Sequence, residues 1–170
     1  MPWKGQAYVL DAFAMTKDLP VRLALIGDGG IRESLEDQAA ALGIGDRVVF
    51  AGTVAHREMP RYLATADVVL GASVASETFG MALAEAMACG RPVLASSWRG
   101  YDDVVIPNET GARFAAGDPR ALAESLRRLL AEEETRARLA AGGRRRVESL
   151  FRWETVAARV QAVYDRALSR

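Results

Sequence analysis

The chain has 170 residues, a length that suits one domain with a sizeable hydrophobic core. Half of the residues are hydrophobic and 26% are charged, which is the composition of a globular protein. Lys plus Arg equal Asp plus Glu at 22 each, so the chain lacks the net positive charge that favours nucleic acid. A single cysteine excludes an internal disulfide framework, and no apolar run approaches the roughly 20 residues of a membrane span, so we expect a cytoplasmic protein.

Short β-branched runs alternate with helical patterns along the first two thirds of the chain. Strands are predicted at residues 21–27, 47–52, 67–73, 92–96 and 111–116. Helices are predicted at residues 5–17, 30–43, 56–66 and 78–90, with a short helix at 99–107. After Asp118 and Pro119, which suit the start of a helix, the pattern is helical to the end. This order predicts an α/β fold, a Rossmann-like doubly wound parallel sheet with helices on both faces and C-terminal helices.

Ligands of such sheets bind beyond the carboxyl ends of the strands, close to the starts of helices. The loops there are rich in small and polar residues, and they are residues 27–30, 52–56, 73–80 and 96–103. We expect the four loops to converge on one cleft.

Two carboxylates mark the predicted helix after the third strand. Glu85 lies within an otherwise apolar run, where an unpaired carboxylate is costly, and Glu77 stands just before the helix. A helix start near residues 78–80 would offer free N–H groups to a phosphate, and Glu85, roughly 7–8 Å further along, could accept hydrogen bonds from ribose hydroxyls. In the other interpretation Glu85 pairs with a core arginine and Glu77 caps the helix.

The segment "SETFGMALAEAMACGRPVLAS" resembles the Glu-x7-Glu signature of retaining glycosyltransferases of family 4, which have the GT-B fold. The likeness continues in "WKGQAYVLDAFA", "LALIGDGG", "DRVVFAGTV" and "RGYDDVVIPNETGARF", and "FRWETVAARVQAVYDRAL" resembles the closing helix of that family. The resemblance covers essentially the whole chain in order, and it identifies the chain as the C-terminal, donor-binding half of a GT-B enzyme.

The resemblance implies transfer of a hexose from a nucleoside-diphosphate sugar to a hydroxyl group, without a metal or another cofactor. Glu77 takes the position of the catalytic carboxylate, which binds hydroxyls of the transferred sugar. The donor sugar and diphosphate would be bound by Lys4, Glu77, Thr78, Phe79 and Gly80. The nucleoside would be bound by Glu85, Gly27, Thr53 and Val54. Thr78 stands where the family commonly has glycine.

The family has a second, N-terminal acceptor domain and a strand before Lys4, and this chain matches neither. In the strand order 3-2-1-4-5-6 that first strand is central, so the strands at 21–27 and 67–73 would each expose a backbone edge. Another segment or chain would fill the gap, or the two edges would close on each other. We expect an isolated chain to be inactive alone and to self-associate, and the family also implies peripheral contact with the inner face of a membrane.

Three other functions fit parts of the pattern. A two-carboxylate glycosidase would need Glu77 and Glu85 much closer than the roughly 12 Å that eight helical residues span. A dinucleotide-dependent oxidoreductase is suggested by "GDGG", but the spaced G-x-G-x-x-G fingerprint does not follow it. A non-catalytic nucleotide-sugar binding module would keep every donor-side residue and lack only the acceptor half.

Overall fold

A computed structural model describes residues 2–169 of the chain. These residues form five strands, β1 (Leu23–Ile26), β2 (Val48–Gly52), β3 (Val69–Gly71), β4 (Val93–Ser96) and β5 (Ala112–Phe114). Seven α helices accompany them, α1 (Gln6–Ala14), α2 (Arg32–Ala41), α3 (Met59–Thr65), α4 (Met81–Ala88), α5 (Pro119–Ala131), α6 (Glu133–Leu150) and α7 (Trp153–Leu168). Short 3₁₀ turns lie at Pro2–Lys4, Gly45–Arg47, His56–Glu58 and Arg99–Tyr101.

Each predicted strand is confirmed, and the predicted helix at residues 99–107 is wrong. Only a single 3₁₀ turn forms there, followed by turns. The reason is a side chain that competes for the backbone, since the Thr110 hydroxyl accepts the N–H of Ile106 at 2.8 Å and donates to the carbonyl of Val104 at 3.2 Å. Val104 and Val105 look like part of an apolar helix face, but they are fully buried in an irregular turn.

The C-terminal region is helical, as predicted, and is divided into three helices. The carboxylate of Asp118 accepts the N–H groups of Arg120 at 2.9 Å and Ala121 at 3.1 Å, so it caps α5. The helical path is interrupted at Glu132 and again at 151–152.

All ladder pairings in the sheet region are parallel, as predicted, but the strands form two sheets. One contains β1 and β2, and the other has the order β3-β4-β5. Every residue of β4 is buried, whereas Ala24 in β1 is exposed and β3 is only partly covered. Within residues 2–169 no ladder joins β1 to β3, so the edges predicted to be unpaired do not close on each other.

Helices cover both faces of the strands. Along β4, Leu94 packs with α1, α5 and α6, while Val93 and Ala95 pack with α3 and α4 on the other side. Helix α1 connects the two sheets, because Val9 and Ala12 belong to the core beside β3–β5 and Leu10 and Phe13 belong to the core beside β1 and β2. The α/β layering predicted from the sequence is therefore confirmed, with the single sheet divided in two.

Within residues 2–169, none of the helices combines the length and the hydropathy that crossing a membrane requires.

Candidate functional site

Glu77 lies at the centre of a compact polar cluster in the loop after β3. Its Oε2 accepts a hydrogen bond from Lys4 Nζ at 2.7 Å, and its Oε1 accepts the N–H groups of Gly80 at 3.1 Å and Thr78 at 3.3 Å. Burial of Glu77 opposes ionisation, but the hydrogen bond and charge of Lys4 and the N–H groups at the helix start outweigh it and hold the pKa of the carboxyl below its usual value. Glu77 is therefore an ionised, oriented acceptor at neutral pH.

Gly80 allows this loop to turn into α4. Its φ is 88°, and a Cβ there would lie 2.6 Å from Cδ1 of Tyr101. Tyr101 is itself held in place, since its hydroxyl donates to the Ser73 hydroxyl at 3.0 Å. A side chain at position 80 would therefore meet both backbone strain and a fixed aromatic ring, and only glycine fits. The helix begins at Met81, slightly later than the predicted start.

A second glycine brings Lys4 to Glu77. Gly5 has a φ of 78°, and a Cβ there would lie 2.0 Å from the carbonyl oxygen of Ala72. Trp3, two residues before Gly5, is also tied to this loop, because the N–H of Val74 donates to the carbonyl of Trp3 at 2.8 Å. The start of α1 is thus pressed against the end of β3, and residues that are 73 positions apart meet.

Glu85 lies on α4 among buried neighbours and is itself half-buried. Over the part of the chain that the structure describes, its carboxylate has no hydrogen bond and no ion pair, so the alternative pairing with a core arginine is not found. Partial burial of a carboxylate in an apolar helix costs free energy, and no contact inside the described chain offsets that cost. The carboxylate of Glu85 therefore has no protein partner among the described residues.

Gly27, Thr53 and Val54 form a second group at the carboxyl ends of β1 and β2. The N–H of Gly27 donates to the carbonyl of Gly52 at 2.8 Å, so the two loops are joined by an isolated bridge. Thr53 is exposed and Val54 is half-buried. This group lies at the end of the β1–β2 sheet, whereas the Glu77 cluster follows β3 of the other sheet. Among the described residues the two groups share no hydrogen bond. The four predicted loops therefore meet in two pairs, 27–30 with 52–56 and 73–80 with 96–103, and no hydrogen bond among the described residues joins the pairs into the one cleft that we expected.

Several residues that surround Glu77 lie in two of the predicted loops, 73–80 and 96–103, but the sequence analysis gave them no role in binding. A cavity of about 600 Å³ is lined by Ala75, Ser76, Glu77, Thr78, Trp98, Arg99 and Gly100. The run Trp98–Arg99–Gly100 stands in a loop after a buried strand, and a bulky aromatic beside a cation at such a place was the signal that could have found it.

The described residues contain no group of three or more His, Cys, Asp or Glu side chains arranged to hold a metal ion.

Residues 1–146 match the family described as "Glycosyl transferases group 1". The chain is 38% identical over 154 residues to the D-inositol 3-phosphate glycosyltransferase of Xylanimonas cellulosilytica, with 88% of this chain and 36% of that protein covered. It is 34% identical over 166 residues to the phosphatidyl-myo-inositol mannosyltransferase of Mycobacterium leprae, with 96% and 43% covered.

Among solved structures, the chain is similar to the Anabaena protein HepE in complex with UDP-glucose. The TM-score is 0.88 at 28% identity, with 97% of this chain and 46% of that chain covered. The chain therefore spans less than half the length of the relatives named here.

Proposed function

Since the chain belongs to the glycosyl transferases group 1 family, we propose that it is the donor-binding part of a retaining, family 4 hexosyltransferase. The donor is a nucleoside-diphosphate sugar, and the acceptor is a hydroxyl group of a glycan, a lipid or a small molecule. The complex of HepE with UDP-glucose supports this class of donor.

The observation that carries the proposal is the unpartnered Glu85. Glu85 is half-buried among apolar neighbours, and no described residue pairs with its carboxylate. Ribose hydroxyls would, because a carboxylate can accept two hydrogen bonds from a vicinal diol. Glu85 is five residues from Gly80, roughly 7–8 Å along α4, which suits a ribose joined to a diphosphate at the helix start.

The cluster at Glu77 provides the groups that a transferred sugar and a diphosphate require. Lys4 supplies a positive charge, and the N–H groups of Phe79 and Gly80 lie at the positive end of α4. As the bond from the anomeric carbon to the diphosphate breaks, these groups stabilise the charge that develops on the leaving phosphate, so a metal ion is not needed. Glu77 accepts hydrogen bonds from hydroxyls of the transferred sugar, and its contact with Lys4 links the sugar site to the phosphate site.

A retaining transfer also requires an acceptor hydroxyl held against the anomeric carbon, and positioning of this kind accounts for about 7–11 kcal/mol of a barrier. We assign that role to an acceptor domain outside this chain, since the relatives are more than twice as long as the chain. The 170 residues alone are then expected to bind a donor without transferring its sugar.

Calorimetric titration with UDP, UDP-glucose, GDP and GDP-mannose tests the proposal. Glu85→Ala should weaken binding of the preferred nucleotide by about ten- to a hundredfold, since a pair of charge-assisted hydrogen bonds contributes roughly 1.5–3 kcal/mol. Glu124→Ala is the control, because Glu124 is exposed on α5 and outside both groups of site residues. EDTA should leave the wild-type affinity unchanged.

Equal affinity of wild type and Glu85→Ala would remove the ribose assignment. A requirement for Mg²⁺ or Mn²⁺ would contradict metal-free binding, and the titration panel also identifies the base.

A further inference from the structure

The cavity beside Glu77 contains an aromatic ring in a fixed position. The indole Nε1 of Trp98 donates to the backbone carbonyl of Glu77 at 2.9 Å, and the ring is half-buried against the core beside α4. This indole therefore forms part of the wall of the space next to the carboxylate of Glu77.

The loop that carries Trp98 is held tightly to the loop of Glu77. A Cβ on Gly100 would lie 1.8 Å from the carbonyl oxygen of Glu77, so the two backbones are in direct contact. On its other side, Arg113 Nη2 donates to the carbonyl of Trp98 at 3.2 Å and to Asp102 Oδ1 at 2.8 Å. Three contacts to backbone carbonyls, two at Glu77 and one at Trp98, thus preorganise the cavity wall, which lowers the entropy that a ligand must lose on binding.

Arg99 brings a positive charge to this wall. Its guanidinium lies 5.8 Å from the centre of the Trp98 ring, and among residues 2–169 it has no hydrogen bond or salt bridge to a protein group. Among the described residues that line the cavity, Glu77 is the only other charged one, and Lys4 compensates its charge at 2.7 Å. The local charge balance of these three side chains is therefore +1, and the positive charge that remains is a guanidinium, which suits bidentate binding of a carboxylate or phosphate.

We propose that the Trp98–Arg99 cavity binds a sugar that carries an anionic substituent in addition to the donor diphosphate. This inference rests on the proposed function, because it places the sugar beside Glu77. The ring of Trp98 offers an apolar surface to the sugar, and Arg99 pairs with its carboxylate or phosphate. The anionic sugar is either the transferred one, a hexuronate, or part of the acceptor, a sugar phosphate.

Paired titrations of the 170-residue chain distinguish these sources. The first arm compares UDP-glucuronate with UDP-glucose, and GDP-mannuronate with GDP-mannose. The second arm compares glucose 6-phosphate with glucose in the presence of a saturating concentration of the nucleotide that binds. Each arm is run on wild type, Arg99→Gln, Arg99→Lys and Arg159→Gln, whose arginine is exposed on α7. For each variant we compare the affinity for the anionic ligand with the affinity for its neutral counterpart. A variant that changes nucleotide binding in general changes both affinities alike and leaves their ratio unchanged.

In the arm that contains the true ligand class, the wild type and Arg159→Gln should favour the anionic sugar by about fivefold, as expected for a partly exposed charge pair. Arg99→Gln should bring the ratio close to one, and Arg99→Lys should retain part of the preference. A ratio near one for the wild type in both arms, or a preference that survives in Arg99→Gln, would overturn the inference while leaving nucleotide binding intact. Failure of UDP and GDP to bind at all would instead overturn the proposed function, and this inference with it.

Discussion

Glu77 binds the same groups that the proposed diphosphate needs. Lys4 Nζ and the N–H of Gly80 both donate to its carboxylate, at 2.7 and 3.1 Å. A diphosphate at the start of α4 would share Lys4 with Glu77 and would experience the repulsion of a second anion. Because the pKa of Glu77 is lowered by its partners, the carboxyl stays ionised across the neutral range, and it gains a proton only as the pH falls below the usual carboxyl range.

Neutralising Glu77 should therefore separate nucleotide binding from sugar binding. We expect Glu77→Gln to bind UDP or GDP about fivefold more tightly, since Lys4 is released and a repulsive charge is removed, an effect on the order of 1 kcal/mol. The ratio of nucleotide-sugar to nucleotide affinity should fall, because a neutral amide is a weaker acceptor for sugar hydroxyls. Calorimetry on Glu77→Gln measures both, with Glu124→Gln as the control. Weaker binding of the free nucleotide would show that Glu77 supports the phosphate site.

At the scale of single residues, the sequence reveals a site when one side chain breaks the pattern around it. Glu85 is predictable for this reason, because it stands alone among apolar neighbours on α4. Arg99 lies in a polar loop where an arginine is ordinary, and its position beside Glu77 depends on the contact between Gly100 and a backbone 23 residues earlier. A contact of that kind has no local signature in the sequence, so the pairing of Trp98 with Arg99 could indicate a site in this loop but not its place beside Glu77.

At the scale of elements, α6 contains two adjacent glycines where helix propensity alone disfavours them. Glycine in a helix interior costs roughly 1 kcal/mol relative to alanine. Here a Cβ on Gly142 would lie 2.1 Å from the carbonyl oxygen of Glu109, and one on Gly143 would lie 2.8 Å from Cγ of Met87. The glycines therefore let α6 approach α4 and the turn before β5, and the close packing offsets the poor propensity.

Gly142→Ala should destabilise the protein although alanine is the better helix former. The new methyl group meets backbone, which cannot rotate away, and overpacking of this type costs about 1–3 kcal/mol before the gain in propensity is subtracted. Urea unfolding should show a lower midpoint with an unchanged slope. The control is Gly45→Ala, because a Cβ at Gly45 meets nothing within 4 Å, and its effect should stay within about 0.5 kcal/mol. A midpoint raised by Gly142→Ala would show that propensity dominates.

The elements that the sequence predicts well are those with a simple period or a strong cap. The five strands follow from continuous apolar runs, and the start of α5 follows from Asp118 and Pro119. The predicted helix at 99–107 fails because Thr110, several residues later, takes over the hydrogen bonds of its backbone. A side chain four to six residues further along the chain thus overrides the apolar pattern.

At the scale of the whole molecule, the division into two sheets follows from the strand order. The sequence analysis places β1 and β3 on either side of a missing central strand, and the structure leaves these two strands unjoined within residues 2–169. Helix α1 contributes residues to both cores and holds the sheets in one fold, and Leu23 of β1 also packs against each core. What the sequence could not predict was whether the edges would close on each other, because that depends on how α1 sets the spacing.

Exposed strand edges make self-association the expected behaviour of these 170 residues in solution. Unpaired N–H and C=O groups on β1 and β3 can pair with strands of another copy, and Ala24 leaves β1 accessible. Helix α7 offers a rival surface, since Trp153 is 83% exposed and Val163 is 57% exposed.

Light scattering should show a mass that rises with protein concentration. Ala24→Lys should suppress that rise, because a charged side chain beside an edge opposes strand pairing, whereas Val163→Lys should not. If Val163→Lys abolishes association and Ala24→Lys leaves it unchanged, the copies meet through α7, and the strand edges of the monomer are protected in some other way.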